Sequence, residues 1–180
     1  MFHDTSEAET HSTPLSIFGY VDSDWAADIR HRRSISGIIF KLAGAAIAWK
    51  CRVQTTISLS SSEAEYLAAC DAGKLALYLR SVLDDLQVPQ HFATLIYEDN
   101  RGCLLMSRAA QPTKQSRHID IRHYALNDWV ERDLVTLEDC PSGLNASDLA
   151  TKQIGGILFA RHLDNISGQL IPSCVLSVRP

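Results

Sequence analysis

Four acidic residues stand at positions where an unpaired carboxylate is costly. Asp22 and Asp99 each end an apolar stretch that is typical of a buried strand, whereas Glu65 and Asp148 stand near the starts of predicted helices. Such a carboxylate has to be hydrogen-bonded, paired or bound to a metal ion. Carboxylates that face one cavity can hold two Mg²⁺ ions about 3.5–4 Å apart for phosphodiester hydrolysis. The pattern indicates a nuclease, although spacing alone leaves open whether the four segments meet.

The first two acids each have a neighbour that competes for the same role. Asp24 is so close to Asp22 that either can be the acid of the first strand. Glu63 competes with Glu65, and Glu63 has the spacing of a capping-box acid after Ser60. The pair of Ser62 and Glu65 has the same spacing, but Glu65 stands one helical step from Ala68 and Ala69, and this apolar context favours Glu65 as the inward-facing ligand.

The other two acids have structural alternatives. Asp99 precedes a predicted helix that begins at Asn100, so it is also suited to cap that helix. Asp148 stands in the first turn of a late helix predicted over 146–153, where the helix dipole favours any acid. Sequence patterns therefore make all four acids candidate metal ligands without excluding these simpler roles.

The order of predicted elements is three strands, a helix, a strand, two helices, a strand and a helix. The first three strands, over residues 15–22, 35–42 and 45–50, have short connections that are typical of an antiparallel meander. A long helix follows to about Leu86, and later strands cover residues 94–99 and 134–137. This order predicts an α/β fold with a mixed five-stranded sheet flanked by helices.

The composition predicts one globular domain. The chain has 180 residues and 46% hydrophobic residues, with no apolar run long enough for a membrane span. Residues 1–14 are polar and predict a disordered linker, residues 15–165 the domain, and residues 166–180 a tail. The five cysteines are scattered without a Cys-x-x-Cys pair, which favours reduced thiols in an intracellular protein.

Basic side chains cluster locally although the formal net charge is −4. Phosphate contacts position a nucleic-acid duplex without reading its sequence, so these clusters are candidate binding surfaces. The cluster around Arg33 is equally compatible with a solvated loop, and the serines before Glu63 are also suited to capping. The predicted substrate-binding residues are Arg33, Lys50, Ser62, Asn100, Arg117 and His118.

Seven short phrases occur in order along residues 18–165. They are GYVDSDWA at 19–26, RSISG at 33–37, AWK at 48–50, LSSSEAEY at 59–66, EDN at 98–100, RHIDIR at 117–122 and ASDLATK at 146–152. In this order they resemble the ribonuclease H domain of copia-type retrotransposon Pol polyproteins. The resemblance implies a ribonuclease H-like fold, with Asp22, Glu65, Asp99 and Asp148 as the catalytic, metal-binding acids.

The resemblance also implies a reaction and its partners. The expected activity is cleavage of the RNA strand of RNA–DNA hybrids during reverse transcription with two Mg²⁺ ions, or Mn²⁺ in their place, leaving 3′-hydroxyl and 5′-phosphate ends. The other expected partner is a reverse transcriptase domain of the same polyprotein, whose Tyr-x-Asp-Asp phrase is absent from this chain. The implied location is intracellular, in a cytoplasmic replication particle or in the nucleus.

Two further functional hypotheses have to be weighed against the nuclease. A non-catalytic structural or nucleic-acid-binding remnant of a Pol polyprotein is compatible with the same fold, but the loss of one acid would favour it and none is lost. A transposase or integrase of related fold would place its glutamate last among three acids, whereas Glu65 is second of four. The loop over 140–145, just before Asp148, carries no histidine. Proton transfer and product release are therefore left without an assigned side chain.

Overall fold

The structure, a computed structural model, describes residues 15–109 and 122–168. Its strands are Phe18–Asp28 (β1), Arg33–Leu42 (β2), Ala45–Val53 (β3), Thr94–Glu98 (β4) and Val135–Asp139 (β5). Its helices are Ser61–Asp85 (α1), Arg101–Arg108 (α2), Arg122–Glu131 (α3), Asp148–Thr151 (α4) and Gly156–Ile166 (α5). The predicted linker over 1–14 and most of the predicted tail over 166–180 lie outside the described residues.

The five strands form one mixed sheet in the order β3-β2-β1-β4-β5. β1, β2 and β3 pair antiparallel, whereas β4 runs parallel to β1 and β5 runs parallel to β4. The predicted α/β architecture, with three antiparallel strands first, is therefore confirmed. None of the helices in the described ranges combines the length and apolar character that a membrane span requires.

The predicted end of the first strand at Asp22 was wrong. β1 continues to Asp28, and Asp24 pairs with Ile35 of β2, so Asp24 lies in the strand and not in a loop or cap. A bulge follows between Asp24 and Asp28, where Ala26 has a φ of 54°. The apolar pattern stops at Asp22 because the far end of the strand is less buried, while its backbone pairing continues.

Small residues bring α1 close to the sheet. Ala64, Ala68, Ala72 and Ala76 recur every fourth residue, which places them on one face of the helix, and all are fully buried. Ala68, Ala72 and Ala76 pack in the same core as large side chains of the sheet, including Val21, Ile38, Phe40 and Ile96. The close approach holds the start of α1 firmly against the centre of the sheet.

Helices cover both faces of the sheet. α1 and α3 share one face, where Gly73 of α1 lies so close to Trp129 that a Cβ atom would stand 2.8 Å from its indole ring. α4 lies on the opposite face against Gly37 of β2. α5 is also fixed there, because the buried Lys41 ammonium donates a hydrogen bond of 2.5 Å to the backbone carbonyl of Asn165.

A buried glutamine ties the start of α1 to the sheet. The Gln54 side-chain nitrogen donates to the Ser36 hydroxyl and to the Ala64 carbonyl, both at 2.8 Å. Its side-chain oxygen accepts from the Ser58 hydroxyl at 3.2 Å. Since Gln54 is only 4% exposed, these bonds fix the connection between β3 and α1 without competition from water.

We expect Gln54→Met to lower the free energy of unfolding by about 2 kcal/mol, because the Ser36 and Ser58 hydroxyls and the Ala64 carbonyl each lose a buried hydrogen bond. For a domain of this size the melting temperature should fall by roughly 4–8 °C. Thermal unfolding checks this, with Gln153→Met as the control because Gln153 is exposed. Equal melting temperatures for the two variants would contradict the structural role of Gln54.

Candidate active site

Asp22 and Asp99 reach the same edge of the sheet. The parallel pairing of β1 with β4 joins Phe18–Tyr20 to Leu95–Tyr97 and then stops. Both acids follow just beyond this paired segment. The carboxyl ends of parallel strands are where ligands bind in open α/β sheets, because side chains from adjacent strands converge there. The two acids that end apolar stretches in the sequence therefore meet at one edge.

Glu65 enters this edge from the first turns of α1. The Ser60 hydroxyl accepts a hydrogen bond from the Glu63 backbone N–H at 3.1 Å, and the Glu63 carboxylate accepts from the Leu59 N–H at 2.7 Å. Glu63 therefore serves the helix cap and Glu65, only 6% exposed, points inward. One carboxylate oxygen each of Asp22, Glu65 and Asp99 lies within 4.8 Å of the others.

Asp148 approaches Asp22 from the opposite face of the sheet. The Asn145 side-chain amide donates to the Val21 carbonyl at 2.8 Å, which anchors the segment before α4 to β1. The Lys152 ammonium then contacts both acids, at 3.0 Å from Asp22 Oδ1 and 2.7 Å from Asp148 Oδ1. Asp148 is thus separated from Asp22 by one ammonium group, and it does not belong to the set of three carboxylates that lie within 4.8 Å of one another.

Burial and mutual repulsion act on the acids of this cluster. Burial, reinforced by the charges of Glu98 and Asp22, raises the pKa of Glu65. Burial also raises the pKa of Glu98, against a hydrogen bond from the Asn100 backbone N–H. The pKa of Asp148 is raised by burial, which outweighs its hydrogen bond from Lys152. The folded chain therefore disfavours the charged forms of these three acids.

Two buried carboxylate oxygens in the cluster lack a hydrogen-bond donor. Glu65 Oε2 and Glu98 Oε2 have no partner within the described parts of the chain. Buried polar atoms without a partner are rare in folded proteins and call for an explanation such as an ion. Hard divalent cations prefer carboxylate oxygens and accept several of them at once. The donor set and its unsatisfied oxygens therefore fit Mg²⁺ or Mn²⁺.

Asn100 and Ser62 lie beside the acids and bond to each other. The Ser62 hydroxyl donates to Asn100 Oδ1 at 3.0 Å, and the same oxygen accepts from the Cys103 backbone N–H at 3.0 Å. Asn100, not Asp99, is therefore the cap of α2. Gly102 permits this contact, since a Cβ atom there would overlap the Ser62 hydroxyl.

The predicted basic contacts lie in different places. Arg33 is exposed at the start of β2. Lys50 of β3 lies 3.9 Å from the Asp71 carboxylate of α1, which also pairs with Arg52. Arg117 and His118 fall in the range 110–121, outside the described residues, so their predicted contacts stay predictions.

Three groups of the site escaped prediction from the sequence. Glu98 is fully buried, and the alternation that places it on the face of Ile96 was available as a signal. Lys152 follows Asp148 by four residues, the spacing of neighbours on a helix face. Thr151 donates its hydroxyl to Asp22 Oδ2, and nothing in its local sequence marks that contact.

Known proteins are similar to this chain in sequence and in fold. No protein-family model matches it. A stretch of 143 residues, 79% of the chain, is 31% identical to the retrovirus-related Pol polyprotein from transposon TNT 1-94 of Nicotiana tabacum. The chain spans only 11% of the length of that polyprotein. The similarity therefore concerns one segment of a much larger protein.

Solved structures similar to this chain are ribonucleases H. LC11-RNase H1, isolated from compost, superposes with a TM-score of 0.56 at 15% identity, over 76% of this chain and 92% of that one. Its complex with RNA/DNA hybrid gives a TM-score of 0.54 at 12% identity, over 76% and 94%. The predicted ribonuclease H-like fold is thus confirmed. The chain is therefore homologous to a segment of copia-type retrotransposon Pol polyproteins, and it has a ribonuclease H-like fold.

Proposed function

We propose that this chain is a metal-dependent endonuclease that hydrolyses the RNA strand of RNA–DNA hybrids. Its fold and its Pol relatives support a nuclease of the ribonuclease H type. The observation that carries the proposal is the meeting of three carboxylates from three separate elements, Asp22, Glu65 and Asp99, within 4.8 Å. A buried cluster of this kind has no stabilising role by itself, because like charges repel in a low dielectric.

The four acids are the proposed ligands of the metal ions. Two bound divalent ions would activate water and stabilise the leaving oxygen. Asp22, Glu65 and Asp99 would supply ligand oxygens from their shared cluster, and Asp148, across the Lys152 ammonium from Asp22, would supply a further one. The Asn145 anchor and the Ser60 cap keep the backbone of these acids in place, so little reorganisation is needed when substrate arrives.

The hybrid is the proposed substrate because the fold matches a ribonuclease H1 solved in complex with RNA/DNA hybrid. We place the Asn100 side-chain amide and the Ser62 hydroxyl against the RNA strand, since both lie beside Asp99 and hydroxyl and amide groups can bond a 2′-hydroxyl. Phosphate contacts are assigned to basic side chains, which hold a duplex without reading its sequence. These are Arg33, Lys50, Arg117 and His118.

The proposed protein partner is a reverse transcriptase domain of the same polyprotein. Three relatives of this chain are Pol polyproteins about nine times its matched length, since the match covers 11% of each of them. A nuclease that degrades the RNA strand acts on the hybrid that reverse transcription makes. We therefore assign the chain to an intracellular site of reverse transcription, in a cytoplasmic particle or in the nucleus.

Hybrid cleavage by the purified chain tests the proposal. We expect a 5′-labelled RNA strand in a hybrid to be cut in Mg²⁺ and in Mn²⁺, leaving 3′-hydroxyl ends, and to survive in chelator. Asp99→Asn should lower the cleavage rate by about 10³-fold, because losing a metal ligand removes several kcal/mol of transition-state stabilisation. The variant should keep the circular dichroism spectrum of the parent chain.

Asp85→Asn is the matched control, because Asp85 is an exposed acid at the end of α1, far along the helix from Glu65. It should cleave like the parent. If the folded parent binds hybrid but cuts neither strand in either metal, the remnant hypothesis replaces the nuclease. Equal cleavage by parent and Asp99→Asn would remove Asp99 from the proposed site.

A further inference from the structure

A lysine side chain lies between two of the candidate metal ligands. The Lys152 ammonium is 3.0 Å from Asp22 Oδ1 and 2.7 Å from Asp148 Oδ1. Asp22 and Asp148 are 1% and 5% exposed, whereas the Lys152 side chain is 39% exposed. One cation therefore enters from solvent and bridges two carboxylates that are themselves deeply buried.

A divalent ion that joined these two acids would need the same oxygens. The other oxygen of Asp22 is engaged by the Thr151 hydroxyl, so Oδ1 is the atom left for a second cation. The ammonium nitrogen, 3.0 Å and 2.7 Å from the two oxygens, fills the space between them that a divalent ion bonded to both would need. Occupation by the ammonium and occupation by a metal ion are therefore alternatives.

The Lys152 side chain can occupy the position between the two acids and can also move away from it. The Lys152 ammonium donates a hydrogen bond to each of the two carboxylates, and this pairing with two buried acids holds it in place. Its side chain is long and partly in solvent, whereas both acids are fixed by the packing of β1 and α4. The lysine is the group that can move.

We propose that Lys152 is a tethered counter-ion that occupies the second cation position in the metal-free protein and is displaced when a divalent ion binds there. The inference rests on the proposed function, because it takes metal binding at these acids as given. Lys152 is a positioning residue in this scheme. It holds Asp22 and Asp148 together before the metal arrives and competes with the metal for them.

Metal binding and stability of Lys152→Gln test the proposal without relying on cleavage. We expect the weaker of two Mn²⁺ sites to bind about tenfold more tightly by calorimetry, because no ammonium has to be displaced. The melting temperature in chelator should fall, because two buried acids lose their cation. Stabilisation by saturating Mn²⁺ should therefore be larger than in the parent. Lys74→Gln is the control, since Lys74 is exposed on α1.

Labelling of the parent chain by an amine-reactive reagent provides a measurement that needs no variant to fold. Lys152 should react slowly in chelator, where both acids bind its ammonium, and several-fold faster in saturating Mn²⁺. Lys74 should react at the same rate in both conditions. Mass spectrometry of peptides reads out both lysines in one sample.

The outcomes separate this inference from the proposed function. If neither the parent nor Lys152→Gln binds Mn²⁺, the metal site itself is wrong and the inference falls with it. If both bind two ions with equal affinity and Lys152 labelling ignores Mn²⁺, the inference alone is wrong. Loss of cleavage in Lys152→Gln with unchanged Mn²⁺ binding would overturn it as well, and would assign the lysine to the substrate.

Discussion

Replacing Glu65 by glutamine is expected to abolish hybrid cleavage and, at the same time, to stabilise the metal-free protein. Cleavage should fall by about 10³-fold, because a neutral amide is a poor ligand for a divalent ion. Stability should rise because Glu65 Oε2 is buried without a donor among the described residues. An amide nitrogen in its place can donate to the acids around it, and the repulsion inside the cluster decreases.

The stabilisation should depend on pH. The pKa of Glu65 is raised above its ordinary value of 4.5, first by burial and then by Glu98 and Asp22. A carboxyl with a raised pKa in the folded state gives full stability below its unfolded pKa, and this contribution is lost as pH rises toward the folded pKa. The metal-free parent should therefore lose stability as pH rises above 4.5, and Glu65→Gln should lose less.

Thermal unfolding in chelator at pH 8 and at pH 4.5 measures this difference. At pH 8 we expect Glu65→Gln to be more stable by about 2 kcal/mol, the equivalent of about one and a half pKa units. This corresponds to roughly 4–8 °C for a domain of this size, and the gap should close near pH 4.5. Glu63→Gln is the matched control, since glutamine can replace glutamate in a capping box. Should Glu65→Gln melt below the parent at pH 8, Glu65 would be a structural acid.

The local sequence pattern was enough to find the acids that lie at the ends of strands or near the start of a helix. Asp99 follows an apolar strand, and Glu65 stands on the apolar side of a long helix, so strand and helix periodicity predict where both point. The resemblance selected Asp22 over Asp24, and the structure agrees in burying Asp22 while leaving Asp24 partly exposed in the strand. The periodicity of apolar residues along strands and helices therefore predicts most of the candidate site.

The remaining features depend on contacts between distant segments, which periodicity does not encode. Lys152 meets Asp22 across 130 positions of sequence, and Asn145 reaches the Val21 carbonyl across 124. The late helix was predicted over 146–153, yet α4 covers only Asp148–Thr151 before α5 begins. A short helix of this kind is held by packing against β2 more than by its own propensity.

Gly37→Ala should disturb the site through that packing. Asp22 pairs with Gly37 across β1 and β2, and α4 lies directly over the glycine. An added Cβ atom would stand 2.6 Å from the Thr151 methyl group, 2.9 Å from the Ser147 carbonyl oxygen and 3.0 Å from Ala150 Cβ. Because two of these atoms belong to backbone or to a Cβ, no side-chain rotation relieves the contact, and α4 has to move.

A shift of α4 carries Asp148 and Lys152 away from Asp22, so we expect cleavage to fall by about 10²-fold, the effect of misplacing a reactive group by roughly 1 Å. Overpacking should also lower the free energy of unfolding by about 1–3 kcal/mol. Hybrid cleavage and thermal unfolding measure the two effects. Gly143→Ala is the control, because a Cβ atom there would meet nothing within 4 Å. Parent-like cleavage by Gly37→Ala would mean that the position of α4 does not govern catalysis, and that Asp22, Glu65 and Asp99 suffice.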